Sequence, residues 1–216
     1  MNSNGFPNEQ GLYDPRNEHD ACGVGFVVDI KNRKNHRIVR QGLEILVNLT
    51  HRGATGADPL AGDGAGILIQ LPDAFLRAEA EGLGIALPEI GAYGVGFLFL
   101  PQDAAHRAQC EKVIADTIVA EGQAVLGWRD VPVDSSILGD GVRAVEPVIR
   151  QVFVGRGAAT PDQDAFERKL FVIRKQVSNR VADMLGDAGS EFYVTSMSSR
   201  SIVYKGMLLA EQVGPY

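Results

Sequence analysis

Asp20-Ala21-Cys22-Gly23-Val24-Gly25-Phe26 opens the first apolar run of this chain, directly after a polar leader. On residue type alone, Cys22 reads as a buried cysteine at the start of a core strand, because free cysteine is among the most buried residues. Its neighbours point elsewhere. Gly23 and Gly25 strip side chains from both sides of Val24, as happens where backbone or ligand approaches closely. Residues 1–21 carry no hydrophobic period and are expendable for a core. A cut between Ala21 and Cys22 would place a thiol and a free α-amine on one residue. That amine titrates near about 7.7–8.0 in model peptides, so it can accept a proton at neutral pH. A nucleophile served by its own α-amine is a known catalytic arrangement.

The 216 residues suffice for one domain with a sizeable core. Hydrophobic residues make up 45% and charged residues 22%, an ordinary balance for a soluble globular chain. A net charge of −6 offers no general attraction to nucleic acid or anionic membrane. The short basic run Lys31 to Arg37 reads as a solvated turn. Two cysteines, Cys22 and Cys110, form no disulfide framework and suit a reducing, cytoplasmic setting. No apolar run reaches the about 18–20 residues of a membrane span. The leader has neither the basic start nor the apolar middle of a secretory signal, and otherwise reads as a disordered tail.

Along the chain, Cys22 to Ile30 predicts a strand buried on both faces. Arg37 to Leu49 predicts a helix with Ile38, Val39, Leu43, Leu46 and Val47 on one stripe. His51 to Gly66 holds five glycines and two aspartates, a composition suited to lining a site. Its Gly62-Asp63-Gly64-Ala65-Gly66 run is no dinucleotide loop, since it leads into a strand rather than a helix. Further strands are expected at Ile67–Leu71, Tyr93–Leu100, Ala124–Val131, Val148–Val154, Phe192–Met197 and Arg200–Lys205. Helices are expected at Asp73–Glu81, Ala104–Glu121 and from Thr160-Pro161-Asp162 to about Leu185, with Thr160 as N-cap. Cys110 falls on the core stripe of the second of these. The 133–147 stretch reads as a loop with a turn of helix. Mixed strands and long helices without repeats or linkers indicate one α+β domain, either a layered α+β fold or an αββα sandwich.

The segments Gly11-Leu12-Tyr13-Asp14-Pro15-Arg16, His19 to Phe26, His51-Arg52-Gly53-Ala54, Gly62 to Ile67, Gly127 to Pro132 and Ser199 to Met207 occur in that order. Together they resemble the N-terminal class II glutamine amidotransferase domain, of the N-terminal-nucleophile (Ntn) hydrolase type, of glutamate synthase large subunits. The resemblance implies a four-layer αββα sandwich, here its N-terminal portion, with residues 1–21 a removable leader and 22–216 the amidotransferase part. It implies that Cys22 hydrolyses L-glutamine to glutamate and ammonia, the ammonia then aminating 2-oxoglutarate. Arg52 matches the arginine that braces the catalytic groups. The implied partners are L-glutamine and the remaining domains of the large subunit, with a small reductase subunit as a further candidate, and neither nucleic acid nor membrane. No cofactor is expected in this chain; FMN and an iron–sulfur cluster are implied for the intact enzyme. The family's oxyanion-hole Asn-Gly pair, and the Arg and Asp that grip glutamine, have no matching position here.

Residue type alone gives other readings. Arg52 could be an exposed helix-end cation. Asp63 could hold its loop by accepting backbone N–H groups. His51 or His19 could complete a Cys–His dyad. The whole chain could be a catalytically silent Ntn-type module with a structural or interaction role, or an acylase for another amide.

Overall fold

The computed structural model describes Gln10, Gly11, Asp14 and residues 23–53 and 58–216. Cys22, His19 and the remaining leader residues other than Gln10, Gly11 and Asp14 lie outside the described residues, as do Ala54–Ala57. Five α-helices and six strands are present among the described residues, besides short 3-10 turns. In chain order they are α1 (His36–Asn48), β1 (Ala65–Gln70), α2 (Asp73–Gly82), β2 (Tyr93–Leu100), α3 (Ala104–Ala120) and β3 (Ala124–Asp130). Next come α4 (Asp140–Arg143), β4 (Val148–Gly155), α5 (Gln163–Leu185), β5 (Tyr193–Ser198) and β6 (Ser201–Gly206). The mixed α+β class expected from the sequence is what forms.

A four-stranded antiparallel sheet, in the order β3-β4-β2-β5, forms the centre of the fold. Central β2 pairs with β4 from Tyr93↔Gly155 to Leu100↔Val148, and with β5 on its other edge. Its period of two explains why it is buried on both faces. Leu98 and Leu100 point to one side, where they meet Val152, Val154, Ile114 and Ile118 of α3, and Phe166, Leu170, Ile173, Val177 and Val181 of α5. The α5 residues recur at three- and four-residue steps, which sets them on one helix face. Each such buried side chain contributes about 1.5–3 kcal/mol relative to exposure. Cys110 lies in this same core, fully buried, as its place on the α3 stripe predicts.

Tyr93, Val95 and Phe97 point to the other side and pack with Ile149, Phe153, Leu71, Leu76 and Ile202. Ile202 belongs to β6, which pairs with β1 in a separate two-stranded antiparallel sheet, from Ala65↔Gly206 to Gln70↔Ser201. The chain therefore passes from one sheet to the other at Ser199-Arg200. Glu167 of α5 fixes that crossing: its carboxylate accepts from the Ser199 backbone N–H (2.5 Å), Ser199 Oγ (2.6 Å) and Ser198 Oγ (3.0 Å). The Thr195 hydroxyl lies 3.1 Å from the Phe97 carbonyl and 3.2 Å from that of Val203, linking the two sheets.

Two expectations need correction, the strand over residues 22–30 and the Thr160 cap. Residues 23–29 form no strand: Val24, Phe26, Val28 and Ile30 are 88%, 86%, 67% and 94% exposed. The alternation is real, but only one side of the segment packs, with Gly25 set on Ile45 of α1. Helix α1 has its apolar stripe yet no fully buried residue, because Ile38, Val39 and Leu46 face an open groove. The N-cap of α5 is Asp162, whose carboxylate accepts from Ala165 N–H at 2.7 Å. Thr160 is instead buried, with its hydroxyl accepting from Gln123 Nε2 at 3.0 Å.

Candidate active site

The site is built where α1 ends. Leu49 closes the helix, and a 3-10 turn at Thr50–Arg52 continues it. Arg52 N–H donates to the Leu49 carbonyl at 2.8 Å, and Gly53 N–H to that of Thr50 at 3.1 Å. Thr50 Oγ1 donates to Val47 O at 2.6 Å. These bonds satisfy the last helical carbonyls and fix the direction in which Arg52 leaves the backbone. The Arg52 side chain is half-buried and makes no hydrogen bond or ion pair among the described residues. A guanidinium held on a fixed turn with its donors free is suited to an anionic or carbonyl partner.

Gly23 lies against this arginine. A β-carbon built on Gly23 would stand 3.1 Å from Arg52 Cβ, 3.3 Å from Arg52 Cγ and 3.3 Å from Leu49 Cβ. The residue that follows Cys22 is thus packed on the arginine that the sequence singles out. Gly23 also begins the wall of a groove of about 1050 Å³ between residues 23–29, α1 and β1. Ile38, Val39, Ile67 and Ile69 make this groove mainly aliphatic. Such walls suit apolar side chains better than the zwitterionic end of an amino acid.

The glycine-rich loop closes the other side. A β-carbon on Gly62 would lie 2.4 Å from the Leu208 carbonyl oxygen, and one on Gly66 would lie 2.7 Å from that of Tyr204. Only glycine lets this loop run so close to the 204–209 segment. Asp63 is exposed and makes none of the backbone bonds expected of it among the described residues. Its carboxylate faces Gly53, with 3.7 Å between Oδ1 and a β-carbon built there. The two ends of the 53–63 loop therefore meet beside Arg52. His51 is engaged at the helix end, with its Nδ1 3.1 Å from the Asn48 carbonyl. Cys110 is remote from all of this on α3, and burial pushes its thiol up to about 11.

One participant went unnoticed in the sequence. Gln212 is 6% exposed and spans the loop, the 135–137 turn and the 209–212 turn. A glutamine among polar residues carries no local signal of such burial.

Residues 22–216 match the class-II glutamine amidotransferases. The chain belongs to this family. It is 48% identical to the glutamate synthase [NADPH] large chain of Bacillus subtilis over 216 residues, which is 100% of this chain and 14% of that one. It is 43% identical to the glutamate synthase [NADH] of Schizosaccharomyces pombe, covering 98% of this chain and 10% of the relative. The glutamate synthase [NADPH] large chain of Azospirillum brasilense is 39% identical over 93% of this chain and 13% of its own length. The chain thus spans a small fraction of the relatives it matches.

Proposed function

We propose that this domain hydrolyses L-glutamine to glutamate and ammonia with Cys22 as the nucleophile, freed by removal of residues 1–21. The observation that carries this reading is the packing of Gly23, which follows Cys22 in the sequence, on the half-buried Arg52 at the end of α1. That the family match begins at Cys22 supports treating residues 1–21 as a leader. The Cys22 thiol attacks the side-chain amide carbon, its proton passing to the Cys22 α-amine directly or through water. The carbonyl becomes a tetrahedral oxyanion. It collapses with cleavage of the C–N bond, and the amine returns the proton to the departing ammonia. A thioester remains. Water then attacks it, delivering a proton back to the sulfur and releasing glutamate. Arg52 braces the catalytic groups through its free donors.

The two facing sheets, with α3 and α5 outside one of them, support the four-layer αββα arrangement for the whole domain. In the intact protein the ammonia aminates 2-oxoglutarate. FMN and an iron–sulfur cluster serve that second reaction, and neither the cysteines nor the Gly62–Gly66 loop of this chain suits them. A cluster needs about four cysteine thiolates, whereas the chain has two cysteines. The Gly62–Gly66 loop is packed on the backbone of Tyr204 and Leu208 and leaves no phosphate cradle. Both groups are therefore assigned to other domains of the large subunit, with a small reductase subunit as a further partner. The bare row Val24, Phe26, Val28 and Ile30 supports packing against further polypeptide of that parent protein. Among the described residues no helix is long and apolar enough to cross a membrane, and a cytoplasmic location is proposed.

That same bare row favours a second reading, a catalytically silent module whose role is to present an apolar face. Ammonia release from glutamine by the full-length protein, with and without Cys22→Ala, separates the two. Loss of release in the variant supports the glutaminase, whereas no release in the parent supports the silent module.

A further inference from the structure

We infer that Gln212 is a positioning residue for the glutaminase site, acting through the Asp58–Gly66 loop. The inference rests on the function proposed above. Gln212 uses its amide three times. Nε2 donates to the Leu60 carbonyl at 3.3 Å and to the Ile137 carbonyl at 2.9 Å, while Oε1 accepts from Leu209 N–H at 2.7 Å. It is almost fully enclosed. Two segments far away in sequence and its own turn meet on this one side chain, and among the described residues the Leu60 and Ile137 carbonyls and the Leu209 N–H have no other partner. Removing the amide leaves buried polar groups unsatisfied, which costs more than the bonds themselves contribute.

The connection from Gln212 to the site is continuous. Gln212 sets the 208–209 backbone through Leu209 N–H. That backbone is the surface on which Gly62 rests, with no room even for a methyl group. Asp63 follows Gly62 and faces Gly53. Gly53 follows Arg52, whose stem packs on Gly23. From its other side, Gln212 holds Leu60 of the same loop. The loop is therefore gripped at Leu60 and at Gly62, and what the grip fixes is the end that faces Gly53, the residue after Arg52. Gly214, two residues beyond Gln212, also approaches Leu43 of α1, the helix whose end carries Arg52. Gln212 touches no candidate reacting atom, so its effect is on placement. Misplacing catalytic groups by about 1 Å can cost on the order of 10²-fold in rate.

A matched comparison exists within the fold. Gln123 is also 6% exposed and also makes three bonds, donating to Glu121 O and Thr160 Oγ and accepting from Gly157 N–H. It ties the α3–β3 turn to the β4–α5 connection and bonds to nothing in the site loop.

The test is made in the full-length protein with Gln212→Met and Gln123→Met, measuring kcat and KM for glutamine, thermal stability, and the rate of Cys22 alkylation by a diazoketone analogue of glutamine. Both variants are expected to lose stability. Only Gln212→Met is expected to lose kcat, by about 10- to 100-fold, with KM little changed and alkylation slowed in parallel. A folded Gln212→Met protein with the parent kcat overturns the inference, as does an equal loss of kcat in Gln123→Met. If Gln212→Met does not fold, Gly62→Ala displaces the same loop from the other side, and a folded Gly62→Ala protein with unchanged kcat likewise overturns it. Failure of the parent protein itself to hydrolyse glutamine or to be alkylated at Cys22 would instead overturn the proposed function.

Discussion

Gly23 packs closely on Arg52: a β-carbon built on the glycine would lie 3.1 Å from Arg52 Cβ, so a side chain there fits only if its neighbours give slightly. This contact joins the start of the apolar segment to the end of α1. It gives the His-Arg-Gly motif a position relative to Gly23 that no local pattern supplies. Gly23→Ala should push Arg52 or the 22–23 backbone aside by a few tenths of an ångström. The expected result is a fall in glutaminase kcat of about tenfold or more with little change in the thermal midpoint. Steady-state ammonia release and a thermal melt on the same preparation check it.

Arg52→Ala should lower kcat by about 10²-fold, the scale of losing one preorganised charged donor. Stability should change little, since the guanidinium bonds to none of the described residues. Arg52→Lys should recover only part of the rate, because an ammonium lacks the planar fork of donors. A large drop in melting temperature with unaltered kcat would mark Arg52 as a structural cation.

Cys110 should be chemically silent. It is fully buried, and that burial raises its thiol to about 11, so almost no thiolate exists near pH 8. Iodoacetamide under native conditions should modify Cys22 and spare Cys110 until the fold is opened with denaturant. Cys110→Ala should cost about 1 kcal/mol of stability through lost packing and leave kcat unchanged, as read by urea midpoints and ammonia release.

Glu121 predicts an acid-side loss of stability. Lys169 Nζ donates to it at 2.8 Å and Gln176 Nε2 at 2.5 Å, and these bonds hold its carboxyl below the usual carboxylate range. Its folded value lies below its unfolded one. The stability it contributes is therefore complete above the unfolded value, near about 4.3, and is lost as pH falls through the lower folded value. Glu121→Gln should be less stable than the parent at neutral pH, with the gap narrowing below about pH 4. Urea midpoints collected from pH 7 to pH 3 should show the two curves converging.

Much of this fold could be read directly from residue patterns. Strand β2 alternates Val95 and Phe97 against Leu98 and Leu100 and is bounded by Pro101, so its limits and both buried faces follow from its own residues. Helix α5 declares itself through Phe166, Leu170, Ile173, Val177 and Val181. The segment after Cys22 shows where such reading ends. Val24, Phe26 and Val28 alternate as in a strand, but a strand exists only when another segment supplies its hydrogen bonds, and that is a long-range property. Thr160 fits the N-cap pattern, but α5 begins only at Gln163. Asp162 therefore caps it, and Thr160 is engaged by Gln123 instead. Within the site, Cys22 and Arg52 stand out by motif, whereas Gln212 becomes visible only when Leu60, Ile137 and Leu209 are brought around it.

The most direct test of the central claim combines the N-terminal mass of the active full-length protein with the site of its modification by a diazoketone analogue of glutamine. The account predicts a chain beginning at Cys22, one adduct on the Cys22 sulfur, and loss of glutamine hydrolysis in proportion to that adduct. Hydrolysis at full rate by protein that demonstrably retains residues 1–21, or inactivation with the adduct on any other residue, would contradict it.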